Sequence, residues 1–100
     1  MRYPVKQEAS GARVCPEGDI DLHAATEFRK VLHKVLEGGP TSITVDLSGV
    51  PFIDSSGIAT IVEILKLTRQ RGGSVKVEGC QPTVRDTFEI AGLTKILGIA

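Results

Sequence analysis

Glycine punctuation constrains this chain more than any other feature. Gly38-Gly39-Pro40 and Gly72-Gly73 each close a helical pattern and are each followed closely by a β-branched run. Glycine takes the left-handed backbone that ends a helix, and proline prevents its continuation. Before the first stop, Ala25, Phe28, Leu32, Val35 and Leu36 recur at helical spacing, with Asp21 placed to cap the start. Before the second stop, Ile58, Ile61, Val62, Ile64, Leu65 and Leu67 form a wide apolar stripe, expected for a helix largely covered by a sheet. The runs after the stops, Ile43–Leu47 and Ser74–Glu78, read as strands.

The flanks extend the pattern. Val5–Ala9 and Ala12–Pro16 are β-like segments around Ser10-Gly11, a hairpin signal. Pro82 suits the first turn of a third helix, with Val84, Phe88 and Ala91 inward and Gly92 as its stop, and Lys95–Ile99 is expected as a last strand. The order is therefore β-β-α-β-α-β-α-β. Strands alternating with helices imply a mixed, mostly parallel sheet with packed helices in a single small α/β domain spanning residues 1–100.

Composition narrows the function. Twelve Lys+Arg balance 12 Asp+Glu, which leaves no basic footprint for nucleic acid, and four aromatics without Trp offer no base-stacking surface. No apolar run approaches a membrane span, and the N-terminus lacks the apolar core of a signal peptide, so the expected location is the cytoplasm. Cys15 and Cys80 stand apart from each other and from any CxxC, and are expected to act as small apolar residues. The neutral sum is uneven. Residues 35–65 hold Glu37, Asp46, Asp54 and Glu63 with no Lys or Arg, whereas Lys66, Arg69, Arg71, Lys76 and Arg85 face only Glu78 in the stretch that follows. Lys66, Arg69 and Arg71 are expected to complement the C-terminus of their own helix.

Asp54-Ser55-Ser56-Gly57 is the one place where several polar groups gather at a strand-to-helix junction, the edge where α/β sheets tend to place their chemistry. Any helix favours Asp or Ser as a cap, but an aspartate followed by two serines exceeds what one cap needs. Gly57 removes a side chain beside Ser56, which would let another protein's active site approach the hydroxyl. A phosphate on Ser56 would lie where free N–H groups and the helix dipole favour an anion, and would add about −1.5 to −2 charge beside Asp54.

Enzymatic readings find less support. There is no Gly-x-Ser-x-Gly elbow, and of the two histidines His33 falls on the outer side of its helix pattern while a triad role for His23 needs geometry the sequence does not supply. Asp46 reads as lying inside its strand, unlike a phosphoacceptor poised at a strand end, and no phosphate-cradling glycine motif is present.

Gly18-Asp19-Ile20-Asp21, the run Ile43 to Gly57 and the Gly72-Gly73 to Val77 segment together resemble a STAS domain, and the bacterial anti-sigma factor antagonists in particular. The resemblance covers about Val5 to Ile99. It implies a non-catalytic, cofactor-free binding switch. Ser56 would be the serine phosphorylated by an anti-sigma factor that is also a kinase, and a PP2C-type phosphatase would restore it. Asp21, Asp54, Ser55, Ser56 and Gly57 would form the partner-binding edge, without metal. Antagonists usually carry a further helix after the last strand, whereas this sequence stops at Ala100. Two other STAS roles are the alternatives: the subunit of a phospholipid-transport ABC system that binds its ATPase, and a stressosome-type scaffold.

Overall fold

The computed structural model describes residues 2–9 and 11–99, so Ser10 of the expected hairpin turn lies outside the described residues. The elements are β1 (Val5–Glu8), β2 (Gly11–Val14), α1 (Leu22–Glu37), β3 (Ser42–Asp46), α2 (Ser55–Gln70), β4 (Ser74–Glu78) and α3 (Pro82–Ile90). The strands lie side by side in sequence order as one sheet. β1 runs antiparallel to β2, while β2–β3 and β3–β4 are parallel, as α-helical crossovers require.

Alternation along each strand sends one set of side chains into the core. Ala12, Val14, Ile43, Val45, Val75 and Val77 are buried, together with Phe28, Leu32 and Leu36 of α1 and Ile58, Ile61, Ile64 and Leu65 of α2. Each large apolar side chain fully removed from water contributes about 1.5–3 kcal/mol. Tyr3 extends the core towards the surface. Its ring stacks on Phe28 with centroids 5.9 Å apart, and its hydroxyl donates to the Ala24 carbonyl at 3.2 Å. Burial is the main reason its phenol titrates above the usual value, with Glu27 and Asp21 adding to the effect.

The opposite sheet face is polar and knitted by charge. Arg13 reaches Glu8 at 3.2 Å, Asp46 at 3.2 Å and Glu78 at 2.9 Å, so one guanidinium links strands β1, β3 and β4. Glu78, also bound by Lys76, titrates below its ordinary range. Asp46 does so chiefly because the Ser48 N–H and hydroxyl donate to it. Asp46 is the last residue of β3, not an interior one as the sequence pattern suggested, and its carboxylate is occupied by this turn and by Arg13.

Four further expectations change. The last strand over Lys95–Ile99 is not formed. Residues 94–98 are turns held by local bonds such as Ile99 N to Thr94 O, and Leu97 O accepts from Val77 N of β4 at 2.9 Å. Leu97 is nevertheless fully buried, so the segment seals the core with a side chain, while Ala91, expected inward, is exposed at the end of α3. The Arg71 guanidinium donates to the Leu36 carbonyl at 2.8 Å at the C-terminus of α1, while only its backbone N–H bonds the end of its own helix, at Thr68 O. His33, expected on the surface, is half-buried between α1 and α2, its Nε2 3.5 Å from Glu63 Oε2, where Arg29 binds the same carboxylate at 2.7 Å. That arginine is the leading cause of the lowered pKa of Glu63. Cys15 and Cys80 are free thiols, each half-buried, and burial raises the Cys80 pKa.

Candidate functional site

The chain leaves β3 through a loop whose conformation is set by backbone bonds to a distant segment. Gly18 N donates to Gly49 O, Ile20 N to Phe52 O, and Asp54 N to Ile20 O, at 2.9 to 3.1 Å. Ile20 and Ile53 thereby form an isolated parallel bridge, and both side chains are buried. The next residue on each strand is an aspartate, and each aspartate starts a helix.

Asp21 has φ −97° and ψ −172°, and its side chain accepts the Ala24 N–H at 2.9 Å. Asp54 has φ −104° and ψ −175°, and its Oδ1 accepts from Ser56 N at 2.9 Å and Gly57 N at 3.3 Å. The bridge therefore sets the N-termini of α1 and α2 next to each other with their capping carboxylates on one edge. Ser55 is exposed and Ser56 half-buried in the first turn of α2. Among the described residues, no group hydrogen-bonds to the Ser56 hydroxyl; its carbonyl accepts from Thr60 Oγ1 at 3.0 Å.

Two details revise the chemistry read from the sequence. The N–H groups of Ser56 and Gly57, expected to be free for a phosphate, are already taken by Asp54. An anion at Ser56 would thus meet a carboxylate before it met backbone donors. Gly57 is buried, and a Cβ there would come within 2.7 Å of Ile20 Cγ2 and Ile53 Cγ1. The glycine lets α2 sit against the Ile20–Ile53 bridge, a need internal to the fold.

Electrostatically the edge is acidic and undiluted. Among the described residues no Lys or Arg forms an ion pair with Asp21 or Asp54, whereas two of the other acids of the cation-poor segment, Asp46 and Glu63, are bound by Arg13 and Arg29. Exposed Asp19 adds to the same edge. Two apolar residues also stand out there: Leu22, just after Asp21, is 71% exposed, and Phe52, just before Ile53, is 50% exposed. The sequence reasoning passed over both. The available signal was the repeated dipeptide Ile20-Asp21 and Ile53-Asp54, flanked by large apolar residues that a core does not need. No group of three metal-ligating side chains occurs among the described residues, and no described helix is long and apolar enough to cross a membrane.

Fold and edge together define a small mixed-sheet α/β domain that offers a serine in the first turn of a helix beside two acidic caps. A STAS domain family model matches residues 3–100, and the chain belongs to the STAS domain family. It is 31% identical over 100 residues to an anti-sigma-B factor antagonist of Bacillus subtilis (strain 168), covering all of this chain and 91% of that protein. It is 28% identical over 82 residues to an anti-sigma-B factor antagonist of Staphylococcus aureus (strain NCTC 8325 / PS 47), covering 82% of this chain and 76% of that one. Among solved structures, an anti-sigma factor antagonist from Mycobacterium paratuberculosis aligns with a TM-score of 0.78 at 25% identity, covering 94% of this chain and 80% of its own. The anti-sigma factor antagonist SpoIIAA in its unphosphorylated form aligns with a TM-score of 0.82 over 95% of this chain and 84% of its own. At 23% identity that likeness is one of fold.

Proposed function

We propose that this protein is an anti-sigma factor antagonist: a binding switch that holds an anti-sigma factor through the edge formed by the starts of α1 and α2. The relatives that carry the name anti-sigma-B factor antagonist support this reading, and they favour it over a transporter subunit or a stressosome scaffold. In this reading the domain catalyses no reaction and needs no cofactor. Asp21, Asp54, Ser55 and Ser56 meet the partner, Gly57 seats the helix that presents them, and Leu22 and Phe52 supply the apolar contact area. The partner is a serine kinase as well as an anti-sigma factor. ATP is bound by that kinase, its γ-phosphate passes to Ser56 Oγ, and a PP2C-type phosphatase removes it. The cytoplasm, where sigma factors act, is the matching location.

The observation that carries the switch is a Ser56 hydroxyl with no partner among the described residues, beside an Asp54 carboxylate that already accepts from the Ser56 and Gly57 N–H groups. A phosphate there adds about −1.5 to −2 charge to an acidic edge, so it disrupts contact with an acidic or apolar partner surface through like-charge repulsion and the cost of desolvating the new anion. With those two donors taken, the phosphate acts chiefly by changing the charge of the surface.

The test is capture from host lysate with wild type and Ser56→Glu, followed by incubation of the recovered complex with ATP. Wild type is expected to retain a serine kinase and to gain one phosphate mapped to Ser56. Ser56→Ala is expected to bind without being modified, and Ser56→Glu to bind at least ~10-fold more weakly, a change of about 1.4 kcal/mol. Phosphate on another residue, or undiminished binding by Ser56→Glu, would sink the switch.

A further inference from the structure

The two edges of the sheet are treated differently. At the β4 edge, Val77 N is covered by Leu97 O. At the β1 edge, all of Val5–Glu8 is exposed and no described element lies beyond it. An uncovered edge strand offers a row of unpaired N–H and C=O groups to another strand. The pairing with β2 shows which groups those are. Cys15 N donates to Pro4 O and Glu17 N to Arg2 O, so even-numbered residues bond inward to β2. Val5 and Gln7 therefore turn their backbone groups outward.

We infer that β1 is a self-association edge, pairing antiparallel with β1 of a second copy about a two-fold axis at Gln7. Register and charge together select this arrangement. Keeping the polar sheet faces of both copies on one side leaves three symmetric registers near the strand centre. Centring on Lys6 sets Lys6 opposite Lys6, and centring on Glu8 sets Glu8 opposite Glu8. Centring on Gln7 sets Lys6 of each copy opposite Glu8 of the other, twice. In that register Gln7 exchanges bonds with Gln7 through the outward groups, and Val5 of each copy lies opposite the turn residue Ala9 of the other. Lys6 and Glu8 then form the non-hydrogen-bonded pairs, in which side chains approach most closely.

The local structure fits such an occupant. Lys6 has no ion-pair partner among the described residues, while Glu8 lies 3.2 Å from Arg13 and can accept a second cation. On the core side, Tyr3, Val5, Val31 and Val35 line a groove of about 400 Å³ between β1 and α1, with Val5 43% exposed. The second strand would bring its own Val5 to that side. The groove lies along the C-terminal half of α1, away from the Asp21 end, so the dimer would leave both Ser56 edges open.

Sedimentation equilibrium of the full chain tests this, with Lys6→Glu and Glu8→Lys prepared separately. Wild type is expected to dimerise with a Kd below about 1 mM. Each variant alone opposes like charges and is expected to weaken that dimer at least ~10-fold. Mixed in equal amounts, the two variants restore both opposite-charge pairs and are expected to form a heterodimer. Wild type that stays monomeric up to about 1 mM would leave the edge to a strand from a different protein and overturn the proposal. A wild-type dimer indifferent to both charge reversals, or variants that fail to associate on mixing, would place the contact elsewhere and overturn it equally.

Discussion

The starts of α1 and α2 share a backbone and differ in what they carry. Asp21 and Asp54 adopt nearly the same φ and ψ, follow paired isoleucines, and cap their helices through the same kind of oxygen. After that the two diverge. The first continues with Leu22 and His23, which are exposed, and then with Ala24, while the second continues with Ser55, Ser56 and a buried Gly57. One junction thus presents an apolar residue and the other two serines on the same acidic background. The lesson is that the cap is structural at both places, and the residues immediately after it decide what each junction offers a partner.

Substitution at the third helical position separates the two junctions most strongly. Gly57→Ala forces a methyl against Ile20 and Ile53 at 2.7 Å, and such overpacking costs about 1–3 kcal/mol. Ala24→Gly at the matching position of α1 should cost no more than ~1 kcal/mol, the helix-propensity difference. Urea unfolding of both variants checks the contrast. Equal losses would mean that the packing against the bridge is not what distinguishes α2.

Removing the caps comes next. Asp54 accepts two N–H groups and Asp21 one, so Asp54→Ala should lose more stability than Asp21→Ala, within the range of about 0.5–2 kcal/mol for such caps. Thermal unfolding of the pair suffices, and a reversed order would show that the second bond to Asp54 contributes nothing.

The smallest effect concerns acids outside the edge. Asp46 and Glu78 have folded pKa values below their ordinary 3.8 and 4.5, so their stabilisation is complete above those values and fades as pH falls through the lower folded ones. Arg13→Leu should therefore lower the urea midpoint near neutral pH, and its difference from wild type should shrink as the solution is acidified below pH ~4. A difference that persists undiminished in acid would mean that Arg13 acts through packing and not through its carboxylates.

Much of this was legible in the residues. The helices, β3 and β4 followed from glycine stops and apolar spacing, because those signals are local. Lys95–Ile99 misled because a short apolar run with a fully buried Leu97 looks the same whether it enters a ladder or merely plugs the core. His33 and Arg71 misled for a related reason: their partners, Glu63 and the Leu36 carbonyl, arrive from another helix. At the site, Asp54 and Ser56 were visible as a cap and a serine in the first turn, but the Ile20–Ile53 bridge was not, since it joins segments far apart in the chain. Gly57 was read as an opening for a partner when the neighbours it accommodates are two core isoleucines.

The Ile20–Ile53 bridge has a consequence for recognition. Adjacent strands are held about 4.8 Å apart by their hydrogen bonds, so the two aspartates that follow stand at close to that pitch. The spacing is set by backbone hydrogen bonds and does not depend on how surface side chains settle. A binding surface that reads both carboxylates is therefore measuring a ruler built into this backbone bridge, and a loop insertion on either side would leave its graduation unchanged.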